Sequence, residues 1–261
     1  MRPHRVIRAT LIFLRTAALA IFAGLALFLS SVPVARGQCG AEAKLLVSLT
    51  EPQKSVEALH ATGESHGDVY LFDTQNLELF AQGVILRLRT GAGSDLTVKV
   101  RSREAKNLEN TSGEAESFKC EIDIVGDVAF TSYSLRSMWK GGIPPEAGEA
   151  LYAALSAGQR RLLKAAGISI DWHRVKRIAH IKETDWRVRK AQDPTKVTAE
   201  LWEWPGGKIF ELSAKTALQN GSSTMQQLRD LALASGLALE EEQHPNTSLV
   251  LRTVTGQVHG P

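Results

Sequence analysis

The chain has 261 residues, with 31 Lys and Arg against 28 Asp and Glu, and two Cys. Two cysteines are too few for a disulfide framework or a cysteine-held zinc site. Residues 1–37 hold five Arg and no acid, so removing them leaves 26 basic against 28 acidic residues, a net charge near −2, which excludes the broad basic surface of a general nucleic-acid-binding protein.

Arg2, Arg5, Arg8 and Arg15 precede an apolar run over residues 16–34, and Ala35, Arg36 and Gly37 offer small residues for a cleavage site. Residues 1–37 therefore read as a secretory signal peptide, with the mature protein periplasmic or secreted. The run is also close to the roughly 20 apolar residues that span a bilayer, so an uncleaved N-terminal membrane anchor stays open. Gln38 stands where a lipoprotein signal carries a small residue, which argues against a lipid on Cys39. The 224 residues left after removing 37 from 261 suffice for one domain with a buried core. Cys39 and Cys120 either pair with each other or stay as two thiols.

In chain order, residues 43–49 form a short apolar strand, and residues 51–60 suit a helix after Pro52. Residues 83–90 and 96–103 alternate apolar with cationic side chains and make a hairpin turned at 91–94. One face of it is apolar; the other carries Arg87, Arg89, Lys99, Arg101 and Arg103. Like charges on one face repel, so acidic side chains or a phosphate-rich ligand belong opposite them. Residues 118–125 put Glu121 and Asp123 on one face of a strand and Cys120, Ile122 and Ile124 on the other.

After a candidate hinge at 141–145, residues 145–166 have helical spacing, with Leu151, Ala154, Leu155, Leu162 and Leu163 as the apolar stripe. Residues 174–189 read as a strand with Arg174, Lys176, His180 and Lys182 on one parity. Residues 197–204 and 208–217 pair across Pro205, Gly206 and Gly207, with Glu200 and Trp202 sharing one face and Glu211, Ser213 and Lys215 another. Ser222 is the expected N-cap of a helix over 223–235, and residues 248–254 read as a last strand. A solvated charged face would explain this pattern, but so would a barrel with a charged interior, and the helices' apolar stripes need an apolar outer surface to cover. The fold expected is α+β: an antiparallel, roughly eight-stranded, tunnel-like β-barrel with helices packed outside.

The segment YLFDTQNLELFAQGVILRLR at 70–89, followed by Thr97 and Lys99, resembles the signature of the CYTH domain, or triphosphate tunnel metalloenzymes. Tyr70, Phe72, Asp73, Thr74, Leu77, Gly83, Leu86, Arg87, Leu88 and Arg89 fall in place. The resemblance implies a CYTH-like domain over residues 40–256, an antiparallel eight-stranded tunnel and triphosphate-containing substrates held with a divalent metal. The family's opening E-x-E-x-K strand is degenerate, reading Gly40-Ala41-Glu42-Ala43-Lys44 without its first Glu. The late acidic strand keeps Glu211 but has Ser213 where a second acid is expected.

Hard cations such as Mg²⁺ or Mn²⁺ take oxygen ligands, and Glu42, Glu121, Asp123, Glu200 and Glu211 are the candidates. Lys44, Arg87, Arg89, Lys99, Arg101 and Lys176 or Lys182 are the candidates for holding phosphates. No catalytic residue is singled out. Two functions are expected from this set. The first is a metal-dependent phosphohydrolase of the cell envelope acting on inorganic triphosphate, polyphosphate or a related phosphate compound. The second is a non-catalytic CYTH-like tunnel that binds a polyanionic ligand or partner.

Overall fold

The computed structural model describes residues 39–49, 51–91, 93–102, 108, 116–188 and 196–256. By its contacts the chain divides into Met1–Gly37 and Gln38–Pro261, and all described residues belong to the second unit. Nine strands form a closed barrel: β1 (Gly40–Val47), β2 (Ala61–Asp73), β3 (Val84–Gly91), β4 (Asp95–Ser102), β5 (Glu116–Val125), β6 (Val128–Met138), β7 (Lys176–Val188), β8 (Val197–Trp204) and β9 (Gly207–Thr216). Their order around the barrel is β1-β5-β6-β4-β3-β2-β7-β8-β9, with β9 returning to β1. Every pairing is antiparallel except that of β1 with β5.

Side-chain alternation divides the sheet into two unlike surfaces. Ala43 and Leu45 of β1, Ala199 of β8 and Leu212 of β9 face outward, where they meet Val56 of α1 (Pro52–Ala58) and Met225, Leu228 and Leu231 of α5 (Gly221–Ala234). Leu86, Leu88, Val98 and Leu135 face outward on the other side, beneath α3 (Gly148–Ala154) and α4 (Ala157–Ala165). Leu151, Leu155, Leu162 and Leu163 are buried there, each contributing about 1.5–3 kcal/mol; Ala154 is exposed instead of completing the stripe. A chain break between the two helices is capped by Ser156, whose Oγ accepts from the Gln159 backbone while the Gln159 side chain accepts from the Ser156 backbone. Gln159 is fully buried, and its Nε2 also donates to the carbonyls of Leu96 and Leu135, fastening α4 to β4 and β6.

Three expectations change. The barrel has nine strands because β2 and β6, at residues 61–73 and 128–138, both went unread; β2 pairs with β3 and β7, and β6 with β4 and β5. Residues 248–254 lie in a helix, α6 (Asn246–Thr255), and a short apolar run fits either period. Helix α5 begins at Gly221 after Asn220, without a side-chain cap, so Ser222 is not its N-cap. Arg103 and Arg189 lie outside the described residues.

Helix α6 does not cover the outside of the barrel. Its buried Val250 and Leu251 pack with Leu71, Ile85, Ile181 and Trp202, which occupy the inward parity of β2, β3, β7 and β8. The tunnel is therefore apolar and blocked at the end where β1 finishes and β7 begins. Helix α2 (Glu78–Ala81) sits at the same end, held by buried Asp73, whose Oδ1 accepts from the amides of Thr74 and Leu79 and whose Oδ2 accepts from that of Phe80. The Asp-Thr pair of the signature thus works as a turn. Among the described residues no helix is long and apolar enough to cross a membrane.

Cys39 and Cys120 form a disulfide across the parallel β1–β5 seam, with Cα atoms 4.7 Å apart and 81 positions between them in sequence. Closing a loop of that length lowers the entropy of the unfolded chain by the equivalent of about 4–5 kcal/mol. The double variant Cys39→Ser/Cys120→Ser is expected to unfold at markedly lower urea concentration, with a somewhat larger m-value because the unbridged denatured chain exposes more surface. An unchanged midpoint would show that the bridge adds no stability.

Candidate functional site

Inward parity gathers about half of the charged residues of the strands into one chamber. Glu42 and Lys44 come from β1, Arg87 and Arg89 from β3, and Asp95, Lys99 and Arg101 from β4. Glu121 and Asp123 come from β5, Glu183 and Asp185 from β7, Glu200 from β8 and Glu211 from β9. Sequence reasoning found most of these because they alternate with apolar residues. It missed Asp95, at the first residue of β4, and it missed Glu183 and Asp185, having read the opposite parity of the same strand as the functional one; the E-T-D alternation at 183–185 was the available signal. Lys182 is exposed on the outer face opposite Asp68, and Lys176 is exposed at the first residue of β7. The structure brings neither to the chamber, and His180 also faces outward, against Tyr70 and Asp68.

On one side Asp123, with a fully buried side chain, accepts through Oδ2 from Lys99 Nζ at 2.7 Å, Arg101 Nη2 at 3.2 Å and Ser132 Oγ at 2.6 Å. Burial would raise its pKa, but Lys99, Lys44 and Arg101 hold it well below the usual carboxylate range. Lys99 bears the cost of the same burial, which brings its pKa down to about 8 despite Asp123. Lys44 Nζ lies 3.4 Å from Glu42 and 3.6 Å from Glu211. Burial would lower its pKa too, yet Glu211 and Glu42 keep it firmly charged.

Across the chamber Arg89 Nη2 reaches Glu183 at 2.5 Å and Glu200 at 3.2 Å. The Trp202 indole donates to the same two carboxylates at 3.1 and 2.8 Å. Burial and a hydrogen bond to Glu200 push Glu183 up to about 8, while that shared bond and Arg89 hold Glu200 low against its own burial. Asp185 is pushed up to about 6 by burial and Glu200. Burial, with Glu200 and Glu42 nearby, pushes Glu211 up to about 7 against Lys44.

Arg87 is the exception. Among the described residues its guanidinium has no ion pair and no hydrogen bond, and its Nε is buried without a partner. Burial and neighbouring Arg89 lower its pKa to about 10. Two groups of carboxylates, Glu42 with Glu121 and Asp123, and Glu183 with Asp185 and Glu200, each bring one oxygen per residue within 4.8 Å of the others. In the first group Asp123 Oδ1 is buried with no hydrogen-bond partner, as is the nearby Glu211 Oε1. Orphaned buried carboxylate oxygens in an all-oxygen set fit a hard divalent cation. Gly40, where an acid of the signature is missing, pairs in register with Glu121, so β5 puts a carboxylate beside the gap in β1.

These shifts set the stability profile. Glu183, Glu211 and Asp185 bind protons more tightly folded than unfolded, so the stability they add is present below the ordinary carboxylate pKa and lost as pH rises through about 6 to 8. Asp123, Glu42 and Glu200 are shifted down, so their contribution is present above the ordinary value and lost as pH falls. The thermal midpoint of the metal-free protein is expected to peak near about pH 5 and to decline toward about pH 8, with Glu183→Gln flattening the decline. A midpoint climbing throughout that range would contradict the assignment.

No protein-family model and no curated protein matches this sequence. Solved structures do. A candidate adenylyl cyclase from Hippeastrum with a dominant triphosphatase activity superposes with a TM-score of 0.52 at 16% identity, over 84% of this chain and 96% of that one. A candidate adenylate cyclase from Bacillus halodurans gives 0.51 at 15% identity, over 81% and 97%. The charged closed barrel is therefore the fold of the CYTH-type triphosphate tunnel proteins.

Proposed function

We propose that the protein is a metal-dependent phosphohydrolase of the cell envelope, acting on inorganic triphosphate, polyphosphate or a related phosphate compound. The observation that carries this reading is Arg87, a half-buried guanidinium of the chamber that no carboxylate contacts directly and whose Nε is buried without a hydrogen-bond partner, Asp95, Glu183 and Glu200 acting on it only from a distance. A buried cation without a partner is costly, and a phosphate oxygen is the partner its planar donors fit best. Lys99 and Arg101 are on the adjacent strand, with Lys44 across the β1–β5 seam.

Charge balance explains why a metal belongs to this reading. The five deep cations Lys44, Arg87, Arg89, Lys99 and Arg101 face eight carboxylates: Glu42, Asp95, Glu121, Asp123, Glu183, Asp185, Glu200 and Glu211. Three of those carboxylates hold protons more tightly than usual. A polyanion entering such a chamber meets an excess of negative charge. Mg²⁺ or Mn²⁺ held by Glu42, Glu121 and Asp123, with Glu211 beside them, would supply the missing positive charge and polarise phosphate oxygens. Lys99 and Arg101, now spent on Asp123, would then be free to turn to the substrate. Hydrolysis adds water to a terminal phosphorus and breaks the bridging P–O bond. Orthophosphate and a shortened chain leave, and the cations steady the charge on the non-bridging oxygens.

Residues 1–37 support export, and the Cys39–Cys120 disulfide suits an oxidising compartment outside the cytoplasm. Binding without hydrolysis is favoured by one feature: Gly40 and Ser213 stand where the resemblance expects metal-binding acids, so the acidic strands are incomplete while the cationic strands are intact. Incubating the mature protein with tripolyphosphate and Mg²⁺ or Mn²⁺ separates the readings. Release of phosphate that needs metal and falls by about a hundredfold or more in Arg87→Ala/Arg89→Ala supports the enzyme. Ligand-induced stabilisation without release supports the binder, and neither response rejects both.

A further inference from the structure

Among the described residues the chamber is closed at one end and uncovered at the other, and the uncovered end carries charge that the chamber chemistry does not use. At the closed end the inward positions become apolar and pack beneath α6. At the other end the outermost charged inward residues of four strands are all basic. They are Lys119 two positions before Glu121, Arg136 two beyond Ser134, Arg187 two beyond Asp185, and Lys215 two beyond Ser213. Antiparallel pairing places the start of β5 and the ends of β6, β7 and β9 at one rim. All four side chains are exposed.

This rim differs from the chamber in how its charge is met. Deep inside, four of the five cations have carboxylate partners. At the rim Arg136 and Arg187 have no ion pair and no hydrogen bond among the described residues, and Lys215 has no ion pair. Lys119 pairs with Glu121 at 2.7 Å. Two lysines and two guanidiniums without an ion pair on the same rim make, among the described residues, a cationic collar around the uncovered end.

We infer that the collar of Lys119, Arg136, Arg187 and Lys215 is a second binding site, for the part of a linear polyphosphate chain that remains outside the chamber. The inference rests on the phosphate reading of the chamber and narrows its substrate class. A tunnel blocked beneath α6 admits a chain only by its end, and a short anion such as tripolyphosphate held on Arg87 would engage the chamber cations alone. A long chain must cross the rim, where four cations meet its phosphates. The collar therefore discriminates by chain length.

The test compares tripolyphosphate with long-chain polyphosphate, each with Mg²⁺, on the intact mature protein, on Lys119→Ala/Lys215→Ala and on Arg136→Ala/Arg187→Ala. The half-saturating concentration for ligand-induced stabilisation is read at two salt concentrations. Each double variant is expected to weaken long-chain binding by about tenfold and to reduce its salt dependence, since fewer counter-ions are released. Tripolyphosphate binding is expected to stay within about twofold, and Lys119→Arg/Lys215→Arg to behave like the intact protein. Equal losses for both ligands, or no loss for either, would overturn the collar and leave the chamber standing. No response of the intact protein to either ligand would overturn the phosphate chamber, and the collar with it.

Discussion

Charges placed inside a closed barrel cannot be left to water, and that constraint organises this protein. Each buried cation needs a carboxylate or a ligand, and each buried carboxylate needs a cation, a hydrogen bond or a proton. Asp123 meets it by gathering Lys99, Arg101 and Ser132 on a single oxygen. Glu183 and Glu200 meet it by accepting from Arg89 and the Trp202 indole, with Glu183 pushed toward its protonated form by burial and by Glu200. Arg87 does not meet it, and a buried polar group without a partner is the usual mark of a binding site.

The same constraint accounts for the architecture around the chamber. With the inside taken by charge, the outer face of the sheet must be apolar, and α1, α3, α4 and α5 are present to cover it. α6 takes a different place because the inward residues at one end are themselves apolar and need a cover of their own. A chamber with one blocked end follows from that local change of pattern. The disulfide lies on the β1–β5 seam, the one parallel contact in the barrel and the place where Glu42 is brought against Asp123. A slip of one residue there would turn Glu42 and Lys44 outward and dissolve the acidic group.

Much of the site was legible in the sequence because alternation is a local signal. Arg87, Arg89, Lys99 and Arg101 could be placed on one face from their spacing alone, as could Glu121 with Asp123. The strand at 176–188 shows where local reading fails. Both of its parities carry charge, with Lys176, His180 and Lys182 on one side and Glu183 and Asp185 on the other. Only the pairing of β7 with β8 shows which side is inward. The last helix was lost for a related reason, since a run of seven residues with scattered apolar positions is compatible with either period.

By itself the sequence determined the two-faced strands, the cationic hairpin and the near-neutral balance of residues 38–261, because each of these is set by residue type and spacing, and its resemblance to the CYTH signature marked the missing acids at Gly40 and Ser213. Only the tertiary structure decided which charges meet. Ion pairs such as Arg89 with Glu183, and ligand sets such as Glu42 with Glu121 and Asp123, join residues far apart in the chain, whose proximity depends on barrel closure and strand register. The isolation of Arg87 is likewise a property of the closed barrel, since absence of a partner can be seen only once every neighbour has been placed.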